Sequence, residues 1–218
     1  STYYVPAGRQ VFGGDAMTTV QLLENNIVLA SMFGAVGDGA TDDTAALQEA
    51  VDYCSENYKM LQLDTGKNYL ISKRLRWAGN SIYFDGNFAT ITANTESDIY
   101  SMIQIDCDDI NDSQSTRDWE SRNHRQQVIK NIILECNGVA KVGLEIRKGI
   151  KTHCTDLTIK DPVAYGIYVN QIGYENFISN VHITRYLTTL GGIGIFALGS
   201  DNTFDNVVII GCQIGVMN

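Results

Sequence analysis

The chain has 218 residues, 44% of them hydrophobic and 19% charged, a balance that builds a packed core and excludes a disordered chain. Acidic residues outnumber basic ones 25 to 16, for a net charge of -9. That excludes a protein that grips a nucleic-acid backbone, since such affinity rests on Lys and Arg. No apolar run reaches the roughly 20 residues of a membrane span. The opening STYYVPAGRQ has neither the basic start nor the apolar stretch of a secretory leader, and it lacks an initiator Met, so a processed or excised piece is expected. Ile, Val and Thr number 23, 15 and 17, about a quarter of the chain, and these β-branched types favour strands. The five cysteines, Cys54, Cys107, Cys136, Cys154 and Cys212, form no CxxC pair. This excludes a structural zinc site and predicts reduced, buried thiols assembled in a reducing cytoplasm. No cofactor or metal is expected.

In chain order, residues 1–31 read as a lead-in, with Gln21–Ala30 a short helix running into a strand. A turn-rich glycine loop at Gly34, Gly37 and Gly39 follows. Thr41, Asp42 and Asp43 are N-cap candidates, and Ala46, Leu47, Ala50, Val51 and Cys54 share one helical face, which predicts a helix near residues 42–56. The GxxGxG spacing lacks the Gly-Lys-Ser/Thr of a phosphate cradle. Strands are predicted at Met60–Asp64, Tyr69–Ser72, Ser81–Asp85, Thr90–Ala93 and Met102–Cys107. A polar insertion, Asp108 to Gln127, is long enough to be a functional or disordered loop.

The remainder repeats. Four segments each place Asn or Asp before an alternating apolar strand, at Asn131, Asp156, Asn180 and Asn206, spaced 25, 24 and 26 residues apart. Each also carries a glycine before a second strand, at Gly143, Gly166, Gly194 and Gly215. A period of this length without helical spacing is a solenoid signature. The absence of a leucine-rich pattern favours a parallel β-helix with two or three short strands per coil. Pleating then assigns Ile132 and Leu134, Leu157 and Ile159, Val181 and Ile183, and Val207 and Ile209 to the interior. Leu144, Ile146, Ile167, Val169, Ile195 and Ala197 are interior in the second strands. Outside, Glu145 and Arg147 give way to Tyr168, Phe196, Leu198, Val208 and Ile210, an apolar drift that a solvated wall should not show. Tyr168 and Phe196 are expected to stack on successive coils, as a subunit interface or as a saccharide platform.

The stretch FGAVGDGATDDTAALQEAVD, residues 33–52, resembles the N-terminal motif of the pectate-lyase-like superfamily of right-handed β-helix proteins, and the coil NGVAKVGLEI resembles their rungs. The resemblance covers residues 32–218 and implies an all-β, right-handed parallel β-helix with an N-terminal capping α-helix. The superfamily includes polysaccharide lyases, hydrolases, epimerases and bacteriophage tailspikes. Residues 1–31 resemble the neck of a tailspike, and the sequence ends at VVIIGCQIGVMN without a visible cap, so the N-terminal part of a longer protein is expected. The resemblance thus implies a virion tail component, a homotrimer with other tail proteins as partners, that recognises a bacterial surface polysaccharide and depolymerises it in full-length form. A free, secreted carbohydrate-active enzyme and a non-catalytic tail protein are the alternatives.

No catalytic residue carries over from the resemblance, so candidates come from chemistry. Glycoside cleavage needs two carboxylates. Asp106 and Asp108, two apart on a strand, would lie about 7 Å apart on one face. Trp119 offers a flat face to a sugar ring, and Arg122 beside it can bind hydroxyls. Tyr168 is the third binding candidate. Glu135, Glu145, Asp161, Glu175, Asp201 and Asp205 read as surface or turn carboxylates, and His182 as a surface or interface residue.

Overall fold

The computed structural model describes residues 26–79, 82–107, 127–186 and 191–217. Residues 1–25 of the lead-in, and Asp108, Trp119 and Arg122 in the insertion, lie outside the described residues.

The described chain is a parallel β-helix. Its elements are β1 (Ile27–Leu29), a 3-10 turn (Ala30–Phe33), β2 (Asp38–Asp42), α1 (Thr44–Glu56), β3 (Met60–Gln62), β4 (Asn68–Ile71), β5 (Leu75–Trp77), β6 (Ile82–Asp85), β7 (Thr90–Ala93) and β8 (Ser101–Asp106). Then come β9 (Gln127–Glu135), β10 (Val142–Lys148), β11 (Thr152–Lys160), β12 (Tyr165–Val169), β13 (Phe177–Thr184), β14 (Ile193–Ala197), β15 (Thr203–Ile210) and β16 (Ile214–Met217). β5, β8, β10, β12, β14 and β16 form one six-stranded sheet, and the other strands form a ten-stranded sheet that forks at β9. β9 pairs with β6 through Gln127–Lys130 and with β7 through Ile133–Glu135. Each long strand from β9 onward is therefore two strands joined at a corner. The solenoid has three walls: the leading halves continuing β6, the trailing halves continuing β7, and the six-stranded sheet.

The four repeat anchors make that corner. Asn131, Asp156, Asn180 and Asn206 have φ of 55°, 57°, 52° and 48°. The left-handed conformation costs an L-residue about 1–2 kcal/mol, least for Asn and Asp, which bond locally. Here the bonds run between coils. Asn206 Nδ2 donates to Asn180 Oδ1 (2.8 Å), Asn180 Nδ2 to Asp156 Oδ1 (3.2 Å), and Asn131 Nδ2 to Asp85 Oδ1 (3.0 Å). The ladder breaks at Asp156, because a carboxylate has no N–H to donate to Asn131 on the coil below.

Inside, the expected ladders hold in register: Ile132, Leu157, Val181 and Val207, then Leu134, Ile159, Ile183 and Ile209. On the third wall Leu144, Ile167 and Ile195 align, as do Ile146, Val169 and Ala197. The glycine column faces this core. A Cβ on Gly143 would sit 2.5 Å from Ile159 Cγ2, and one on Gly166 would sit 2.7 Å from Ile183 Cγ2. The isoleucines thus fill space that only glycine leaves open.

Helix α1 covers the N-terminal end, burying Leu47, Ala50, Val51 and Cys54. Asp43 does not cap the helix with its side chain. Its buried carboxylate instead accepts from Val36 N (2.7 Å) and Gly37 N (3.0 Å), tying the glycine loop to the helix start. Capping falls to Asp42, whose Oδ1 accepts from Thr44 N at 3.0 Å. Gly37 has φ of 62°, and a Cβ there would lie 2.8 Å from Lys67 Cβ. Two strands differ from expectation. β2, DGATD, is extended because β4 pairs with it, against its own propensity. β5 is too short to show a period. Residues 27–29, placed by sequence in the lead-in, pair with β3. Among the described residues no helix is long and apolar enough to cross a membrane.

Replacing Ile159 or Ile183 with Asp is expected to abolish cooperative unfolding, because each side chain is fully buried in a dry stack. Wild-type thermal transitions in both variants would overturn the register. Asp156→Asn, which restores the missing donor, is expected to stabilise by about 0.5–1 kcal/mol and raise Tm by about 2 °C in a melting scan.

Candidate functional site

The outer face of the third wall collects the polar chemistry. Arg76, Gln104, Glu145, Tyr168, Phe196 and Met217 are in-register neighbours on successive strands. Steps between them are about 4.8 Å. The column is polar toward the N-terminal end and aromatic toward the other, and Glu145 sits at the change.

Asp106 lies two residues beyond Gln104, at the end of β8. Its side chain is 6% exposed and sits among three cations: Arg76 Nε at 3.2 Å and Arg147 Nη1 at 3.0 Å from Oδ2, and Lys148 Nζ at 4.0 Å from Oδ1. Oδ1 accepts no hydrogen bond among the described residues. A buried carboxylate needs such pairing to remain charged. The arrangement suits a hub that fixes two guanidiniums at the wall. Its intended partner, Asp108, lies outside the described residues.

Glu145 differs from the surface role read in the sequence. It points outward from the sheet yet is only 4% exposed. Oε2 accepts from Ser101 Oγ and Gln104 Nε2, both at 2.8 Å. These donors are neutral. The negative charge is felt by its neighbours: burial first, and then Glu145, pushes the hydroxyls of Tyr100 and Tyr168 above the usual tyrosine range.

Tyr168 stacks as expected on Phe196, with centroids 5.6 Å apart and planes at 16°. Tyr165 completes the cluster at 5.5 Å from Tyr168 and 5.3 Å from Phe196. Because Gly166 and Ile167 both face the core, alternation breaks and Tyr165 shares the outer face with Tyr168. Simple period-two counting misses it, and the glycine before each second strand is the signal that could have found it. Gln104 and Ser101 were missed because polar residues within an apolar strand carry no motif. The ring faces lie largely against one another, so edges and the two tyrosine hydroxyls are the part offered outward. The other outward apolar residues divide: Tyr168 and Phe196 are on the third wall, whereas Val208 and Ile210 are on the second.

Residues 28–217 match the family model described as "Rhamnogalacturonase A/epimerase, pectate lyase-like". The chain belongs to this family. Membership supports a carbohydrate-active role in general. No curated protein matches the chain by sequence. Among solved structures, a proposed glycosyl hydrolase from Parabacteroides merdae is similar at 14% identity and a TM-score of 0.39, over 86% of this chain and 95% of that one.

Asp106→Asn would leave three cations around an uncharged group. It is expected to destabilise the fold by about 2–3 kcal/mol, discounted because Arg76 and Arg147 are partly exposed. An unchanged urea midpoint would remove the hub from the structure's support.

Proposed function

We propose that the chain recognises a bacterial surface polysaccharide through the outer face of its third wall. The observation that carries this is the outer column in which the partly exposed Arg76 and the half-buried Tyr168 and Phe196 flank a Gln104–Glu145 pair that is buried and hydrogen-bonded to itself. Sugars are bound by such a mixture, here with the guanidinium and the two tyrosine hydroxyls fixing hydroxyls and the ring edges giving apolar contact. In this reading Asp106 is a positioning residue for Arg76 and Arg147, and Tyr168 contacts the glycan.

The proposed setting is a bacteriophage tailspike. It is supported by the neck-like opening residues and by five free cysteines. Burial pushes the Cys154 thiol up to about 12, which suits an inert core thiol. The proposed assembly is three copies side by side, supported by the exposure of Leu198 and Ile210. Depolymerisation is proposed for the full-length tailspike, with little or no cleavage by these 218 residues alone. A second reading, a free lyase or hydrolase, is favoured by the enzyme names in the family description.

Tyr168→Ala with Phe196→Ala is expected to weaken retention on host capsule or lipopolysaccharide in affinity electrophoresis by about tenfold, from the loss of two aromatic contacts. Undiminished retention would overturn the third wall as the binding face. Reducing-end release equal to that of a full-length tailspike would favour the enzyme reading. A monomer in sedimentation of the full-length protein would remove the trimer.

A further inference from the structure

The second wall carries a groove of its own. It has a volume of about 390 Å³ and follows the corner ladder across successive coils. Asp156 and Asn180 line one side, Thr158, His182 and Val208 the other, and Phe88 stands at one end. That volume falls within the range of small-molecule sites. Thr158, His182 and Val208 align through the pairing of β11, β13 and β15, so the groove runs along the solenoid axis.

Phe88 is the exposed aromatic of a tight turn, closed by Ala89 N donating to Gly86 O at 2.8 Å, with Asn87 and Phe88 as its two central residues. It is 66% exposed, and its φ is 59°. Asn87 before it is also left-handed, at φ 49°, and is held there by Asp85 and by the carbonyl of Leu63. A bulky residue in this conformation is a genuine outlier. The turn accounts for the backbone, and Phe88 N donates to Asn131 O at 2.8 Å, but the exposed ring contributes nothing to the core.

Polar groups complete the groove. Asp156 places a carboxylate where its neighbours in the ladder are amides, and an amide would complete the ladder. His182 is exposed and lies one coil above Thr158. Among the described residues no Lys or Arg lines the groove. The surroundings therefore suit hydroxyl donors and an apolar sugar face, and disfavour an anion.

We propose that this groove is a second saccharide site, which takes a neutral, hydroxyl-rich glycan segment with a ring against Phe88 and a hydroxyl donated to Asp156. It goes beyond the third-wall reading, because it lies on another wall and shares no residue with it. Two glycan contacts on one solenoid hold a polymer in place without requiring both to be strong.

The test is affinity electrophoresis of the 218-residue chain in gels containing dextran, a neutral polysaccharide, or polygalacturonate, an acidic one. Phe88→Ala is expected to weaken retention by dextran about five- to tenfold, the range of one aromatic contact. Asp156→Asn separates binding from structure: it is expected to raise Tm while lowering retention by dextran. Retention by dextran unchanged in both variants, or stronger retention by polygalacturonate that Phe88→Ala abolishes, would overturn the site. The Tyr168→Ala, Phe196→Ala variant distinguishes the two walls. Loss of binding only in that variant sinks the second site and leaves the third wall standing. Loss only in the Phe88 and Asp156 variants does the reverse.

Discussion

The fold depends on one backbone requirement: each coil must turn at the same place in a conformation that L-residues avoid. Asn131, Asp156, Asn180 and Asn206 meet it. Their local cost is offset by side-chain bonds that exist only once the coils have stacked. Corner and stack are therefore interdependent, and neither is stable without the other. The same turn divides each long strand into halves on two walls, which separates the leading face from the groove behind it.

Everything inside is then dictated by vertical repetition. An interior residue meets its equivalent above and below, so an isoleucine on one coil obliges a glycine or a matching apolar residue on the facing wall. Gly143 beneath Ile159 and Gly166 beneath Ile183 are instances. Outward positions have no such obligation. The third wall accordingly can place Gln104, Glu145 and Tyr168 in one column without disturbing the core.

Much of this was legible in the sequence, and the reasons are physical. The corner anchors and interior ladders were readable because stacking forces periodic identity onto periodic positions. The capping helix was readable because its apolar face is amphipathic and its start is marked by Asp. The leading wall was less legible, because each anchor read as the start of a strand although Gln127–Lys130 ahead of Asn131 already pair with β6, and two short strands were missed as well. β5 is three residues long, and β2 owes its extension to β4 rather than to its own composition. The candidate site was readable only in part. Tyr168 and Phe196 followed from pleating, but Tyr165 did not, because Gly166 interrupts the alternation. Glu145 read as a surface carboxylate because a one-dimensional pattern cannot reveal that Ser101 and Gln104, about 40 residues earlier in the chain, would lie beneath it. The role of Asp43 was misplaced for a similar reason: its acceptor capacity is used by a loop that precedes it.

The order of groups along the third wall carries a direction. In the proposed binding mode, a polymer lying across the coils meets the partly exposed Arg76 at one end of its footprint and Tyr168 and Phe196 at the other. Reversed end for end, the same polymer would exchange the portions that meet the guanidinium and the aromatic edges. The two orientations are therefore unequal in energy even when the sugars are identical. A glycan has a reducing and a non-reducing end, and under that proposal a wall with this gradient would tell one from the other.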